Sequence, residues 1–267
     1  MVQWIHCALV NRDCVITRNE IKLVRSLRQK KYRELHRCFI AEGSKLVLDL
    51  MNGPFPVRQI FASPRWKEET SPPLPVPVTE ISPAEMEKIT ALNSPSQVLA
   101  ILEMVFPSPD RATMESDLTL VLDSIGDPGN LGTIIRIADW FGIPQVVCSP
   151  GTVDIYNPKV IQATMGSVAR VRVIYRELSP FLGSIGDRVP VYALTLGGTD
   201  IFYTELSDYG VLILGSEAHG ISEELLQFVT RRLIIPFFPA NRTAHAESLN
   251  AAVAAGIACA EFRRRGS

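Results

Sequence analysis

No stretch of this chain approaches the roughly 20 consecutive apolar residues that a membrane-spanning helix requires. The first fifteen residues, MVQWIHCALVNRDCV, lack the basic start and clean apolar run of a secretory leader. Both absences predict a cytoplasmic protein with no membrane partner. Cysteine is scarce: Cys7, Cys14, Cys38, Cys148 and Cys259 are scattered, odd in number and form no CxxC. That pattern argues against a disulfide framework or a zinc site and for a reducing compartment. The four histidines show no HxxxH spacing, so no metal is expected. Net charge is nearly absent, at −1, so the chain as a whole is no polyanion binder. No GxGxxG follows a strand, and GxxxxGK[ST] and GxSxG are missing, which speaks against an ordinary dinucleotide fold, a P-loop and a hydrolase elbow.

What is present is a globular composition over 267 residues, 46% hydrophobic and 21% charged. Residues 1–15 show neither period nor charge pattern and are expected to be a dispensable appendage. Residues 16–105 read as a small α/β unit. Its strands are expected at 38–43, 57–63 and 97–104, with helices from Ile21, from a Ser44 N-cap, and from Pro83. The proline-rich stretch from Ser71 cannot be helix. Residues 106–117, polar and carrying two prolines, read as a linker. Over 118–267 the runs LTLVLD, QVVCS, VRVIY, VPVYALTL, VLILG and RLIIP alternate with helical segments. A long alanine-rich helix is expected after Ser248, with Ser248 as its N-cap, and its small residues on all sides predict burial. Alternating strands and helices imply a mostly parallel sheet covered on both faces.

Ligands of open α/β sheets sit beyond the carboxyl ends of the strands, and three such ends are unusual here. DSIGDPGNLGTIIRIADWFG (123–142) leaves a strand through glycines, a proline and Asn130 into a helix bearing Arg136. LGSEAHGIS (214–222) ends a strand in Gly215 and carries Glu217. The last, beginning IPFFPANRTAHAESLN (235–250), runs from a strand end into the helix of small residues. Singly, each residue has a plain structural reading. Asn130 suits a turn, Arg136 a helix surface, Glu217 a first helical turn, and Ser248 a cap. A hydrolase triad of Ser248, His245 and Glu217 can be drawn, but a serine at a cap position needs no catalytic explanation. Eight basic residues (Arg18, Lys22, Arg25, Arg28, Lys30, Lys31, Arg33 and Arg37) crowd one segment against only Glu20 and Glu34. They form either a solvated helix face or a phosphate-contacting patch.

Taken in order, the three segments resemble the three motifs of the SpoU (TrmH) family of RNA 2'-O-ribose methyltransferases, within the SPOUT superfamily. KKYRELHRCFIAEGSKLV (30–47) is similar to the substrate-binding domain of its larger members. The resemblance implies an α/β fold with a trefoil-knotted C-terminal domain, a small N-terminal α/β RNA-binding domain, and S-adenosylmethionine as cofactor. It implies a homodimer that meets through the alanine-rich helix and completes the active site. Leu196, Gly197, Gly215, Ile235, Pro236 and Leu249 would hold the cofactor. Asn130, Arg136, Glu217, Ser248 and Asn250 would form the catalytic group: Arg136 at the acceptor, Asn130 ordering the first loop, Glu217 fixing that network, and Ser248 with Asn250 holding the last loop. The RNA partner is expected to be ribosomal, because minimal tRNA enzymes of the family lack the N-terminal domain. A tRNA 2'-O-methyltransferase and a non-catalytic RNA-binding relative are the alternatives. The 237–247 stretch is longer than the usual third motif, which leaves the conformation of that loop open.

Overall fold

A computed structural model describes residues 16–70, 76–238 and 246–265. The expectations for residues 1–15 and for the centre of the 237–247 loop, His245 among them, therefore lie outside the described residues. The N-terminal unit comprises α1 (Arg18–Ser26), α2 (Lys30–His36), β1 (Cys38–Glu42), α3 (Ser44–Met51), β2 (Val57–Ala62), α4 (Pro64–Glu69), β3 (Val78–Glu80), α5 (Pro83–Ile89) and β4 (Val98–Glu103). Its strands form one sheet in the order β1-β4-β2-β3, antiparallel except for β2 with β3. Local chemistry sets the helix starts. Thr17 and Glu20 close a capping box on α1, and Ser82 and Glu85 close one on α5 behind Pro83. The expected Ser44 cap is displaced by one residue. Gly43, at φ 104, takes the cap position and Ser44 opens the helix, since only glycine adopts that backbone without strain.

The segment read as a linker contains α6 (Arg111–Ser116), capped by Asp110. Beyond it follow β5 (Leu118–Asp123), α7 (Pro128–Trp140), β6 (Gln145–Cys148), α8 (Pro158–Thr164), a short 3-10 turn, β7 (Arg172–Tyr175), α9 (Leu178–Gly183), β8 (Val191–Asp200), β9 (Gly210–Gly215), α10 (Glu223–Leu226), β10 (Arg231–Ile234) and α11 (Ala251–Arg265). All six expected strands form, in one parallel sheet ordered β10-β8-β9-β5-β6-β7. Strands β5 and β6 are buried along their whole length, as a parallel sheet covered on both faces requires. Each fully buried Leu or Val there contributes about 1.5–3 kcal/mol.

The two units share a core rather than hanging from a tether. Phe39 of β1 packs on Tyr156 at 4.8 Å between ring centroids. Arg33 of α2, only 2% exposed, donates to Asp154 at 2.6 and 3.1 Å. Between α7 and α8, a Cβ on Gly132 would stand 2.4 Å from the Ala163 Cβ and 3.0 Å from its carbonyl carbon. We expect Gly132→Ala to force these helices apart and cost about 1–3 kcal/mol. That corresponds to a loss of about 3–10 °C in melting temperature, readable by calorimetry.

Among the described residues no helix is long and apolar enough to cross a membrane, and no His/Cys/Asp/Glu group could hold a metal ion. Burial pushes the Cys259 thiol up to about 12 and the Cys148 thiol higher still, so neither is a ready nucleophile at neutral pH.

Candidate active site

The first unusual strand end is built by β5 and α7. Asp127 caps α7, its Oδ1 accepting from the Asn130 N–H at 2.8 Å, and Pro128 occupies the first helical position. Just before it, Ser124 takes a left-handed φ of 57, a backbone that costs a non-glycine residue about 1–3 kcal/mol. Two bonds hold it there: Ser124 N–H to Ser149 Oγ at 2.8 Å and Ser124 Oγ to Asp123 Oδ1 at 3.0 Å.

The second strand end is a tight turn after β9, in which Ser216 and Gly220 exchange backbone bonds of 3.1 and 2.8 Å. A Cβ on Gly215 would lie 2.1 Å from the Gly220 carbonyl carbon, so no larger residue fits. The turn is tied to the first strand end through Asp123, whose Oδ2 accepts from the Ser222 N–H at 2.7 Å and its Oγ at 2.6 Å. Sequence reasoning missed this tie between buried Asp123 and exposed Ser222. The available signal was an acid closing an otherwise apolar strand.

The three segments converge on Glu217. Its Oε1 accepts from Asn130 Nδ2 at 3.1 Å, Asn250 Nδ2 at 2.8 Å and the Ala251 N–H at 2.9 Å. Asn250 Nδ2 also donates to Asn130 Oδ1 at 2.8 Å, while its own Oδ1 accepts from the N–H groups of Ala252 and Val253. Asn250 thus caps α11, which begins at Ala251; the expected Ser248 cap and the start at Leu249 are corrected by two residues. Asn250 accepts from the helix N–H groups through Oδ1 while its Nδ2 donates to both Glu217 and Asn130, two acceptors that a serine's single O–H cannot serve at once. Glu217 is indeed a carboxylate at a helix N-terminus, but the helix is α11, not the α10 that follows it in sequence. The aligned peptide dipoles of α11 favour a negative charge at that end.

Two expected members stand apart. Ser248 is exposed and precedes the cap. Arg136 is exposed on α7, six residues beyond Asn130 and so about 9 Å further along the axis, with no hydrogen bond or ion pair to any described residue. It lines up with the exposed Thr133 and Trp140, the latter 85% exposed. The α11 helix, expected to be buried, is covered on one face only. Ala255, Ala258 and Cys259 are fully enclosed while Val253 is 52% exposed, because the chain's own elements reach only that side.

The expected cofactor residues come from three neighbouring strands, β10, β8 and β9, and from the segment entering α11. The strand ending expected at Leu196 is corrected: β8 runs on to Asp200. Ala193 pairs with Arg232 and Thr199 with the next residue, Leu233, so residues 194–198 arch out of the ladder. Leu196 rides on that arch, 74% exposed, and nothing lies within 4 Å of a Cβ placed on Gly197. Gly215 closes the neighbouring strand, Ile235 and Pro236 follow β10 half-buried, and Leu249, in the segment entering α11, is 45% exposed. Open glycine backbone next to the exposed Leu196 suits a flat, polar-edged group such as a nucleoside base.

Comparison with known proteins agrees with this geometry. Residues 117–260 match the SpoU rRNA Methylase family, and residues 18–100 match the MRM3-like substrate binding domain. The chain is 30% identical over 240 residues to the 23S rRNA (guanosine(2553)-2'-O)-methyltransferase RlmP of Bacillus subtilis, covering 89% of this chain and 93% of that one. The structure of a TrmH family protein from Porphyromonas gingivalis superposes with a TM-score of 0.85 at 35% identity, covering 94% and 99% of the two chains. The AdoMet-bound rRNA methyltransferase from Sinorhizobium meliloti superposes with a TM-score of 0.80 at 31% identity, covering 95% and 97%. With its three signature segments meeting on one carboxylate and both of its units matched, this chain belongs to the SpoU rRNA methylase family.

Proposed function

We propose that this chain methylates a ribose 2'-hydroxyl of ribosomal RNA with S-adenosylmethionine, as a cytoplasmic homodimer with a knotted C-terminal domain. The observation that carries the reading is the convergence of Asn130 and Asn250 on Glu217, beside the strand ends expected to hold the cofactor. When bound, S-adenosylmethionine supplies a sulfonium methyl open to in-line displacement. The backbone of Gly197, Gly215 and Ile235, together with Leu196, Pro236 and Leu249, would hold that group. The Asn130–Glu217–Asn250 network holds the first and last loops together, so that the acceptor oxygen is presented in line. Ser248 steadies the chain entering the cap.

A 2'-hydroxyl is a weak nucleophile; its oxygen would bond the methyl carbon as the carbon–sulfur bond breaks to leave the neutral thioether, and its proton would pass to solvent water. A guanidinium does not give up its proton, so Arg136 acts as a clamp on the acceptor phosphate and as a cation beside the developing alkoxide. Its distance from its own chain's Glu217 network supports service to the facing copy. The open face of α7 and α11, with Trp140 and Val253, is the surface through which that copy would dock. The test is methyl transfer from labelled S-adenosylmethionine to rRNA of a deletion strain, followed by mapping. One new ribose 2'-O-methyl group is expected; label in tRNA alone, or none, refutes the reading.

The basic cluster divides in the structure. Arg33 is buried, and Arg25 and Arg28 donate to the backbone carbonyls of Lys88, Ile89 and Thr90, so these three serve the fold. Lys22 and Lys31 are exposed and remain for phosphates, Lys31 lying 4.9 Å from the Tyr32 ring centroid. Changing Lys22 and Lys31 together to glutamine should weaken RNA binding and flatten its salt dependence by about 1–2 units of slope. Cofactor affinity should stay constant in parallel calorimetry.

A further inference from the structure

Outside the motif network, among the described residues, a cavity of about 300 Å³ opens at the junction of the two units. Its walls come from α2, from residues 104–107 after β4, from the loop after β6 and from the end of β7. It opens at the carboxyl edge of the parallel sheet, the edge that also carries the motif network. Strand β7 lies two strand spacings from β5, about 10 Å. The loop after β6 is bonded to the first motif directly: Ser149 Oγ accepts from the Ser124 N–H at 2.8 Å, and Thr152 Oγ1 donates to the Leu122 carbonyl at 3.2 Å.

The lining is aromatic with a basic rim. Phe106 is 62% exposed although it sits in the wall. The Arg37 guanidinium lies 4.9 Å from its ring centroid, and Tyr156 meets it edge-on at 6.2 Å. The residue before it is clamped: the Val105 N–H donates to Tyr156 Oη at 2.9 Å, and that hydroxyl donates to the Val105 carbonyl. Burial raises the Tyr156 phenol to about 12, so the clamp persists at every working pH. The acids in the wall are already paired, Asp154 with Arg33 at 2.6 Å and Glu34 with Lys30 at 3.9 Å. Arg37 and Arg176 are left as exposed cations around an exposed ring; the Arg176 guanidinium reaches only its neighbour's carbonyl. A charge-neutral ligand would have no use for that rim, whereas an unpaired nucleotide matches both parts.

We infer that this junction cavity receives an unpaired base of the RNA substrate, stacked on Phe106 and Arg37, with Arg37 and Arg176 meeting its flanking phosphates. The inference rests on the RNA methyltransferase reading above and adds a second point of contact, away from the reacting ribose. It makes the junction a selector for single-stranded or bulged RNA, since a base held in a duplex cannot enter.

The test uses the full chain and a short single-stranded oligouridine carrying one 2-aminopurine, whose fluorescence falls on stacking, with its duplex form as control. Phe106→Ala should weaken single-strand binding by about five- to a hundredfold. It should abolish the fluorescence change and leave the salt slope, the melting temperature and S-adenosylmethionine affinity as in the wild type. Phe106→Trp should restore binding. Arg176→Gln should instead flatten the salt slope by about 0.7. Unchanged affinity and quenching in Phe106→Ala, or no recovery in Phe106→Trp, overturns the inference. Methyl transfer to rRNA by the wild type is scored separately. If it fails while Phe106-dependent binding holds, the functional reading is wrong and the cavity assignment stands.

Discussion

Arg136→Ala should lower methyl transfer by about 10²- to 10³-fold, the range seen when a single preorganised donor is removed from a developing oxyanion. The melting temperature should hardly move. Arg136 is exposed on α7 without a described partner, and alanine is the better helix former, so the change should stay within about 0.5 kcal/mol. Arg136→Lys keeps the charge but loses the planar two-pronged fork, and should recover only part of the rate. In the homodimer proposed above, a mixed dimer decides which copy the residue serves. Neither Arg136→Ala nor Glu217→Ala homodimers should turn over at a useful rate. In a heterodimer of the two, service across the interface concentrates both lesions in one site and leaves the other intact, so activity returns. Service within one chain leaves one lesion in each site, and the heterodimer stays inactive. Near-normal turnover by the Arg136→Ala homodimer would remove the residue from the mechanism.

Arg33→Ala should destabilise the fold by about 3–5 kcal/mol. The guanidinium is 2% exposed. It donates to Asp154 at 2.6 and 3.1 Å and to the carbonyls of Leu27 and Arg28 at 3.0 and 2.9 Å. Its removal strands a carboxylate whose side chain is only 14% exposed, together with two carbonyls, at the contact between the two units. A drop of about 10 °C in melting temperature is expected, read by calorimetry. Removing both partners should cost less than the single change, because the penalty is the uncompensated charge rather than the lost pair. Arg33→Met with Asp154→Leu should therefore melt above Arg33→Ala. A double variant less stable than the single one would refute that account. Arg33 also shows why a run of basic residues misleads: charge predicts affinity for phosphate only if the side chain reaches solvent.

The boundary between what could be read in the chain and what could not follows the range of the interactions. Strands β5 to β10 were legible because a parallel sheet buried on both faces needs unbroken apolar runs, and each run is a local property of its sequence. The start of α7 lies earlier than the glycine-rich crossing suggested: Asp127 caps it and Pro128 opens it, so Asn130 sits in its first turn rather than in the loop. Short elements were not legible. The three residues of β3 and the helices α4 and α6 are too short to show a period, although Ser63 with Pro64 and Asp110 cap those two helices locally. The cap of α11 was misplaced because Ser248 and Asn250 are both good caps, and only the position of Glu217 chooses between them. Leu196 and Gly197 lie on an arch that no local pattern announces, because it depends on β10 pairing on both sides of it.

Sequence alone determined the class of fold, the order of the strands along the chain and the residue types at three strand ends, because short-range chemistry writes all of these into neighbouring positions. Tertiary structure alone decided which acid answers which amide, which of eight cations face water, and that a cavity opens where the two units meet. Those outcomes depend on distances between residues as far apart as Asn130 and Asn250, and only the packed chain sets such distances.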